Sequence, residues 1–162
     1  MMRRFFTGAL VGGVLGVLAG FAIGIFAYPY IFLADIVADE RLDAADMDTI
    51  VATGEFIHAN PADPIHYGSG GLTVSRGVVP LPQDFEVGPG PAYHVYLVPD
   101  ASVTPDTDVA RTMFVDLGRL RAFRGSQIYR IPDGVDLAEF GSVVIWCEHF
   151  GVLISPASLR FE

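Results

Sequence analysis

"SVVIWCEHFGVLISPASL", residues 142–159, is the stretch whose reading decides the fold. Two apolar runs, one ending at Cys147 and one beginning at Val152, are separated by Glu148, His149, Phe150 and Gly151. Short Val- and Ile-rich runs bounded by turn formers read as β-strands. Strand side chains alternate faces, so Val143, Ile145, Cys147 and His149 share one face, and Val144, Trp146, Glu148 and Phe150 share the other. Both faces are apolar up to Trp146, as expected of a strand covered on both sides. The change at Glu148 and His149 puts Cys147 where the strand emerges toward water. It is the chain's only cysteine, next to its only tryptophan.

The same texture extends outward in both directions. From Thr53 onward, "GEFIHA", "GLTVSRG", "DFEVGPGP", "AYHVYLVPD", "RTMFVDLG", "SQIYRIPDG", "SVVIWCEHF" and "GVLISPASLRF" are separated by Gly, Pro, Asn and Asp. No stretch there keeps a helical period for three turns. Many strands with short connections predict an all-β antiparallel sandwich or barrel-like domain over 53–162. "PDGVDLAEF" carries one helical turn before the strand of Cys147.

The N-terminal third differs. After Arg3 and Arg4, an uncharged apolar run extends from Phe5 to Leu33. At about 1.5 Å per residue it exceeds the roughly 30 Å hydrocarbon thickness of a bilayer. It is too long for a signal-peptide core, and Phe26, Tyr28, Tyr30 and Phe32 crowd its end as an interfacial belt does. Residues 1–33 therefore read as an uncleaved transmembrane anchor, with 5–33 in contact with the membrane. Residues 34–52 read as an acidic linker with a helical pattern around Ile36, Val37, Leu42, Met47 and Ile50. The arginines before the span and the acids after it place the N-terminus in the cytoplasm and the β-domain in the periplasm or outside the cell. Gly8, Gly12, Gly16, Gly20 and Gly24 recur every four residues and form one helix face suited to a second helix, either that of another copy, giving a homo-oligomer, or that of a different protein.

Composition removes several function classes. The 162 residues are 51% hydrophobic and carry 19 Asp and Glu against 10 basic residues, a net charge of −9. All ten basic residues are arginine, which excludes Schiff-base lysine chemistry and a lysine-bearing phosphate loop. An acidic body does not suit nucleic acid. A single cysteine excludes an internal disulfide scaffold and a cysteine-rich zinc site. "YGSGG" lacks the spacing of a nucleophile elbow, and His-Glu-x-x-His is absent.

Read in order, the punctuated strands resemble the DM-thirteen domain, an extracellular or periplasmic module found alone or beside DOMON domains. The resemblance is carried by "GEF" at 54–56, "ADPIHYGSGGLTV", "DFEVGPGPAYHVYL", "LGRLRAFRGSQIYRIP" and "VVIWCEHFGVLISPASL", covering Gly54 to Leu159. It implies a β-sandwich-like domain with a redox or electron-transfer role centred on Cys147. Two positions depart from the pattern: Ala92 stands where the family often has an acid, and Arg121 where it often has lysine.

The candidate chemistry gathers at Cys147. As a redox thiol it would be tuned by His149, with Trp146 packed beside it. Lacking an internal partner, it would form sulfenic acid, a mixed disulfide with a redox partner protein, or an intermolecular bridge. The competing reading is a small buried hydrophobe. Copper is a lower-ranked cofactor, with Cys147, His149, His94 and His66 as candidate ligands. His58 and His66 flank "ANPADPI", which reads as a polar loop. Arg119, Arg121 and Arg124 form a basic cluster read as a solvated turn, with anion binding as the alternative. The resulting expectation is a single-pass electron-transfer or interaction module rather than a turnover enzyme. The alternative is a non-catalytic envelope adhesion or assembly module in which Cys147 is structural.

Overall fold

The computed structural model describes residues 2–42 and 50–162. Helix α1 (Met2–Tyr28) continues into a wider π-type turn, Pro29–Leu33. Pro29 has no N–H to give to the α-ladder, and the helix changes pitch there. From Arg4 to Leu33 the helix is long and apolar enough to span a membrane, consistent with a single-pass anchor. A Cβ added at any of Gly8, Gly12, Gly16, Gly20 or Gly24 would meet nothing within 4 Å.

Eleven strands follow among the described residues: β1 (Val37–Asp39), β2 (Ile50–Phe56), β3 (Gly68–Ser75), β4 (Val78–Leu81), β5 (Glu86–Val87), β6 (Tyr93–Val98), β7 (Val115–Arg119), β8 (Arg124–Arg130), β9 (Ser142–Cys147), β10 (Val152–Ser158) and β11 (Arg160–Phe161). Their order is β1-β8-β4-β3-β2-β10-β9-β6-β7, with β11 beside β2 and β5 bridging β3 and β8. Every pair is antiparallel except β1 with β8. The two ends of this path approach one another. The short 120–123 connection links β7 to β8, the Leu120 N–H donates to Tyr93 O (2.8 Å), and the Tyr129 hydroxyl donates to Arg119 O (3.3 Å). The sheet therefore curls, as the all-β, barrel-like expectation required.

Strand β9 is central and buried along its whole length. Val143, Ile145 and Cys147 point into the main core with Tyr93, Val95, Phe123 and Ile154. Val144 and Trp146 point the other way, into a second cluster with Tyr96, Val98 and Leu153 that is closed by Val103 and Val109 of the 99–114 segment. This explains an unbroken apolar run: each face has its own cover, and each buried Val or Ile adds about 1.5–3 kcal/mol. The turn expected in "PDGVDLAEF" is present at Leu137–Glu139, where Asp136 accepts the Ala138 N–H.

Two elements depart from the sequence reading. The linker was expected to be helical, but Val37–Asp39 is a strand paired with Arg124–Ser126, and Ile50 opens β2. Glu40 fixes the linker further: its carboxylate accepts Arg121 Nε and an Arg121 terminal nitrogen, both at 2.6 Å, and the Ile128 N–H at 2.9 Å. Those long-range partners outweigh a weak helical period. The rest of the linker reading, at 43–49 and including Met47, lies outside the described residues. Strand β4, "VVPL", was missed because Pro80 argues against a strand. Pro80 is tolerated because β4 pairs with β3 only at Ser75–Val78 and runs along β8 beyond that point.

Candidate functional site

Cys147 is the last residue of β9, and the turn 148–151 folds over it, closed by the Gly151 N–H on Cys147 O (2.9 Å). Its side chain is 1% exposed. The thiol donates to Pro91 O at 3.2 Å, so the "GPGPA" loop before β6 forms the other wall. Burial pushes the thiol pKa up from its ordinary value, and the Glu148 charge adds to this. The backbone N–H groups of Phe150 and His149 pull the other way. The resting sulfur is therefore a neutral thiol.

Tyr93, opposite Cys147 in the register, lies on the main-core side. Its hydroxyl rests against Gly90, where a Cβ would collide with it. Its ring meets Phe123 edge-on, with centroids 5.8 Å apart. Burial raises the Tyr93 phenol strongly, with a further contribution from Cys147. Ala92, between Pro91 and Tyr93, has a left-handed backbone (φ 49°) and accepts the Glu148 N–H through its carbonyl (3.1 Å).

The residues expected around the thiol separate. Trp146 leaves the sheet on the opposite face and belongs to the second cluster, so it packs away from the sulfur rather than beside it. His149 lies beyond the strand end, in the exposed turn, where the alternation that put it on the Cys147 face no longer applies. Its backbone N–H acts on the sulfur, while its side chain lines a cleft beside α1.

The candidate copper ligands do not converge. Among the described residues, the three donors whose ligand atoms all lie within 4.8 Å of one another are His94, Asp116 and Glu148. Cys147, His149 and His66 are outside that group. His94 Nδ1 faces both Asp116 oxygens (3.1 and 2.9 Å), and its Nε2 faces Glu148 Oε2 (3.3 Å). The Tyr96 hydroxyl donates to Glu148 Oε1 (2.5 Å). Burial, then this hydrogen bond, raises the Tyr96 phenol. One imidazole and two carboxylates are suitable donors for a divalent cation. As they stand, a carboxylate faces each ring nitrogen. Sequence reasoning missed Asp116, although the placement of Glu148 on the face opposite Cys147 was legible. His66 and His58 are held locally: His66 Nδ1 pairs with Asp63 Oδ2 (2.7 Å), and His58 Nε2 contacts Asp63 O (2.7 Å).

A cleft of about 570 Å³ opens between the C-terminal end of α1 and the barrel. Gly24, Tyr28 and Leu33 lie on one side, and Pro91, Arg119 and His149 on the other. A second hollow of about 430 Å³ shares Tyr28, Leu33, Gly90 and Arg119 and extends to Tyr93 and Phe123. Phe26 of α1 stacks on Phe150 of the turn (centroids 5.3 Å, planes 17° apart). Pro91 connects this cleft to the buried thiol.

No curated protein and no solved structure matches the chain. The family described as Electron transfer DM13 matches residues 62–159, more than half of the chain, from the Asp63 loop through β10. Its match takes in Cys147, the Pro91 loop and the His94 cluster, and the chain belongs to this DM13 family.

Proposed function

We propose that this chain is a membrane-tethered, outward-facing electron-transfer module that carries Cys147 as a covered redox thiol. The observation that carries the reading is the match to an electron-transfer family, with the chain's one thiol at the end of its central strand. Orientation rests on Arg3 and Arg4 before the span and the acids after it. Outside the cytoplasm disulfides persist, so disulfide-bearing proteins are available reactants.

The chemistry this reading assigns is thiol–disulfide exchange. With the 148–151 turn lifted, Cys147 loses its proton and attacks one sulfur of a partner's disulfide. That S–S bond breaks, a mixed disulfide forms, and the other partner sulfur leaves as a thiolate that takes up the proton. A second, incoming thiol then attacks the partner's sulfur in the mixed disulfide. This frees Cys147, and the incoming thiol has been oxidised while the original leaving sulfur has been reduced.

One observation favours a second reading, the structural cysteine of an assembly module: the side chain is 1% exposed and its pKa is raised. Labelling of the full chain with an aromatic disulfide reagent decides between them. The redox reading expects one equivalent per chain to react from the folded state, much faster than global unfolding, and faster still in Phe150→Ala. Labelling that merely tracks global unfolding assigns Cys147 to the core and overturns it.

A further inference from the structure

We propose that the cleft between α1 and the barrel is a binding site for one anionic phospholipid of the leaflet around the outer end of the helix. This rests on the reading of α1 as a membrane anchor. The cleft straddles the level at which such a helix leaves the bilayer. A hydrocarbon core of roughly 30 Å takes about 20 residues at about 1.5 Å each, which from Phe5 ends close to Gly24. Gly20, Phe21 and Gly24 then line the hydrocarbon end of the cleft, and Tyr28, Pro29 and Leu33 its headgroup end. The Phe26–Phe150 stack holds the β9–β10 turn at that same height.

Charge selects the occupant. The chain is strongly acidic, yet neither hollow has an Asp or Glu in its lining, and Arg119 is common to both. Arg121 and Arg124 are paired with Glu40 and Glu86, whereas no carboxylate pairs with Arg119 among the described residues. An unpaired guanidinium at headgroup height beside an apolar slot suits a lipid phosphate, with His149 as a second donor. The volume lies within the roughly 300–1,000 Å³ usual for small-molecule sites. A lipid seated there covers Pro91, whose carbonyl holds the Cys147 thiol, and so closes the approach to the sulfur from the membrane side.

The test uses the full chain in nanodiscs of phosphatidylcholine, with and without phosphatidylglycerol, released and weighed by native mass spectrometry. The expected result is one phosphatidylglycerol retained per chain after bulk lipid is stripped, in preference to phosphatidylcholine. Arg119→Gln lowers that retention about fivefold, the scale of one juxtamembrane charge. Gly24→Leu, at a position where a Cβ meets nothing within 4 Å, also lowers retention by filling the apolar end. Arg160→Gln, outside the cleft, leaves it unchanged. Equal retention of both lipids, or retention indifferent to Arg119→Gln, overturns the site while leaving the anchor intact. A chain that does not co-purify with the discs overturns the anchor reading and the site together.

Discussion

Gln127→Met is predicted to destabilise the domain by about 3–5 kcal/mol, although it replaces a fully buried side chain by one of similar length. Gln127 is 0% exposed and organises the 120–123 connection that closes the barrel. Its Oε1 accepts the Arg121 N–H (3.0 Å), the Ala122 N–H (3.2 Å) and the Tyr129 hydroxyl (2.9 Å), and its Nε2 donates to Ala122 O (2.8 Å). Methionine leaves the two Ala122 backbone groups and the Arg121 N–H without this partner, at about 1–3 kcal/mol each when buried, partly offset by its apolar surface. For a domain of this size that lowers Tm by roughly 10–20 °C. Trp146 fluorescence on heating the full chain reads the shift. Gln127→Glu supplies a signature that packing alone cannot. The introduced carboxyl must stay protonated to donate to Ala122 O, so its folded pKa is raised. Its contribution is then complete below its unfolded value of about 4.3 and is lost as pH rises through the folded one. A loss under about 1 kcal/mol for Gln127→Met, or no pH dependence for Gln127→Glu, would refute the claim that this side chain satisfies buried backbone.

Three further outcomes are expected. Ala92→Gly should stabilise by about 0.5–1 kcal/mol, since φ 49° is strained for alanine, with a small Tm rise as the readout. Gly125→Ala should cost more than about 2 kcal/mol, because φ is 85° and a Cβ would collide with Ala38 O; amide exchange at residues 37–39 should rise sharply as β1 leaves β8. Asp63 has its pKa lowered to about 2, first by its hydrogen bond with His66 and then by the Ile65 N–H. A depressed carboxylate contributes above its unfolded value of about 3.9 and stops doing so as pH falls through the folded one. The Ile65 and His66 amides should accordingly lose protection between about pH 4 and pH 2, and Asp63→Asn should show the same loss at neutral pH.

What could be read from the sequence follows the range of the forces involved. Strands β2, β3 and β5 to β10 announced themselves locally, because each needs an apolar run and a turn former, and both lie within a few residues. The faces of β9 were legible for the same reason: Cys147 and Trp146 separate as period two demands. Strand β1 was not, because nothing in "IVADE" indicates that Arg121, some eighty positions later, will clamp Glu40 through two 2.6 Å hydrogen bonds. The place of His149 turned on a boundary: the strand ends at Cys147, and the turn that follows carries the imidazole to the cleft beside α1 instead of along the Cys147 face. The His94 cluster needed the β6–β7 register, whose shift between Val95 and Tyr96 brings Asp116 opposite Tyr96. These misses bear on Cys147 itself. Sequence placed it at the edge of water, and along the chain it is, since Glu148, His149 and Phe150 are all exposed. In space the Pro91 carbonyl and the 148–151 turn close over the sulfur, so its exposure is governed by two loops that the strand pattern does not describe. A thiol reactive at rest would need a thiolate-stabilising charge. One reactive on demand needs a turn that opens for less than global unfolding costs, and that difference is what the rate of labelling measures.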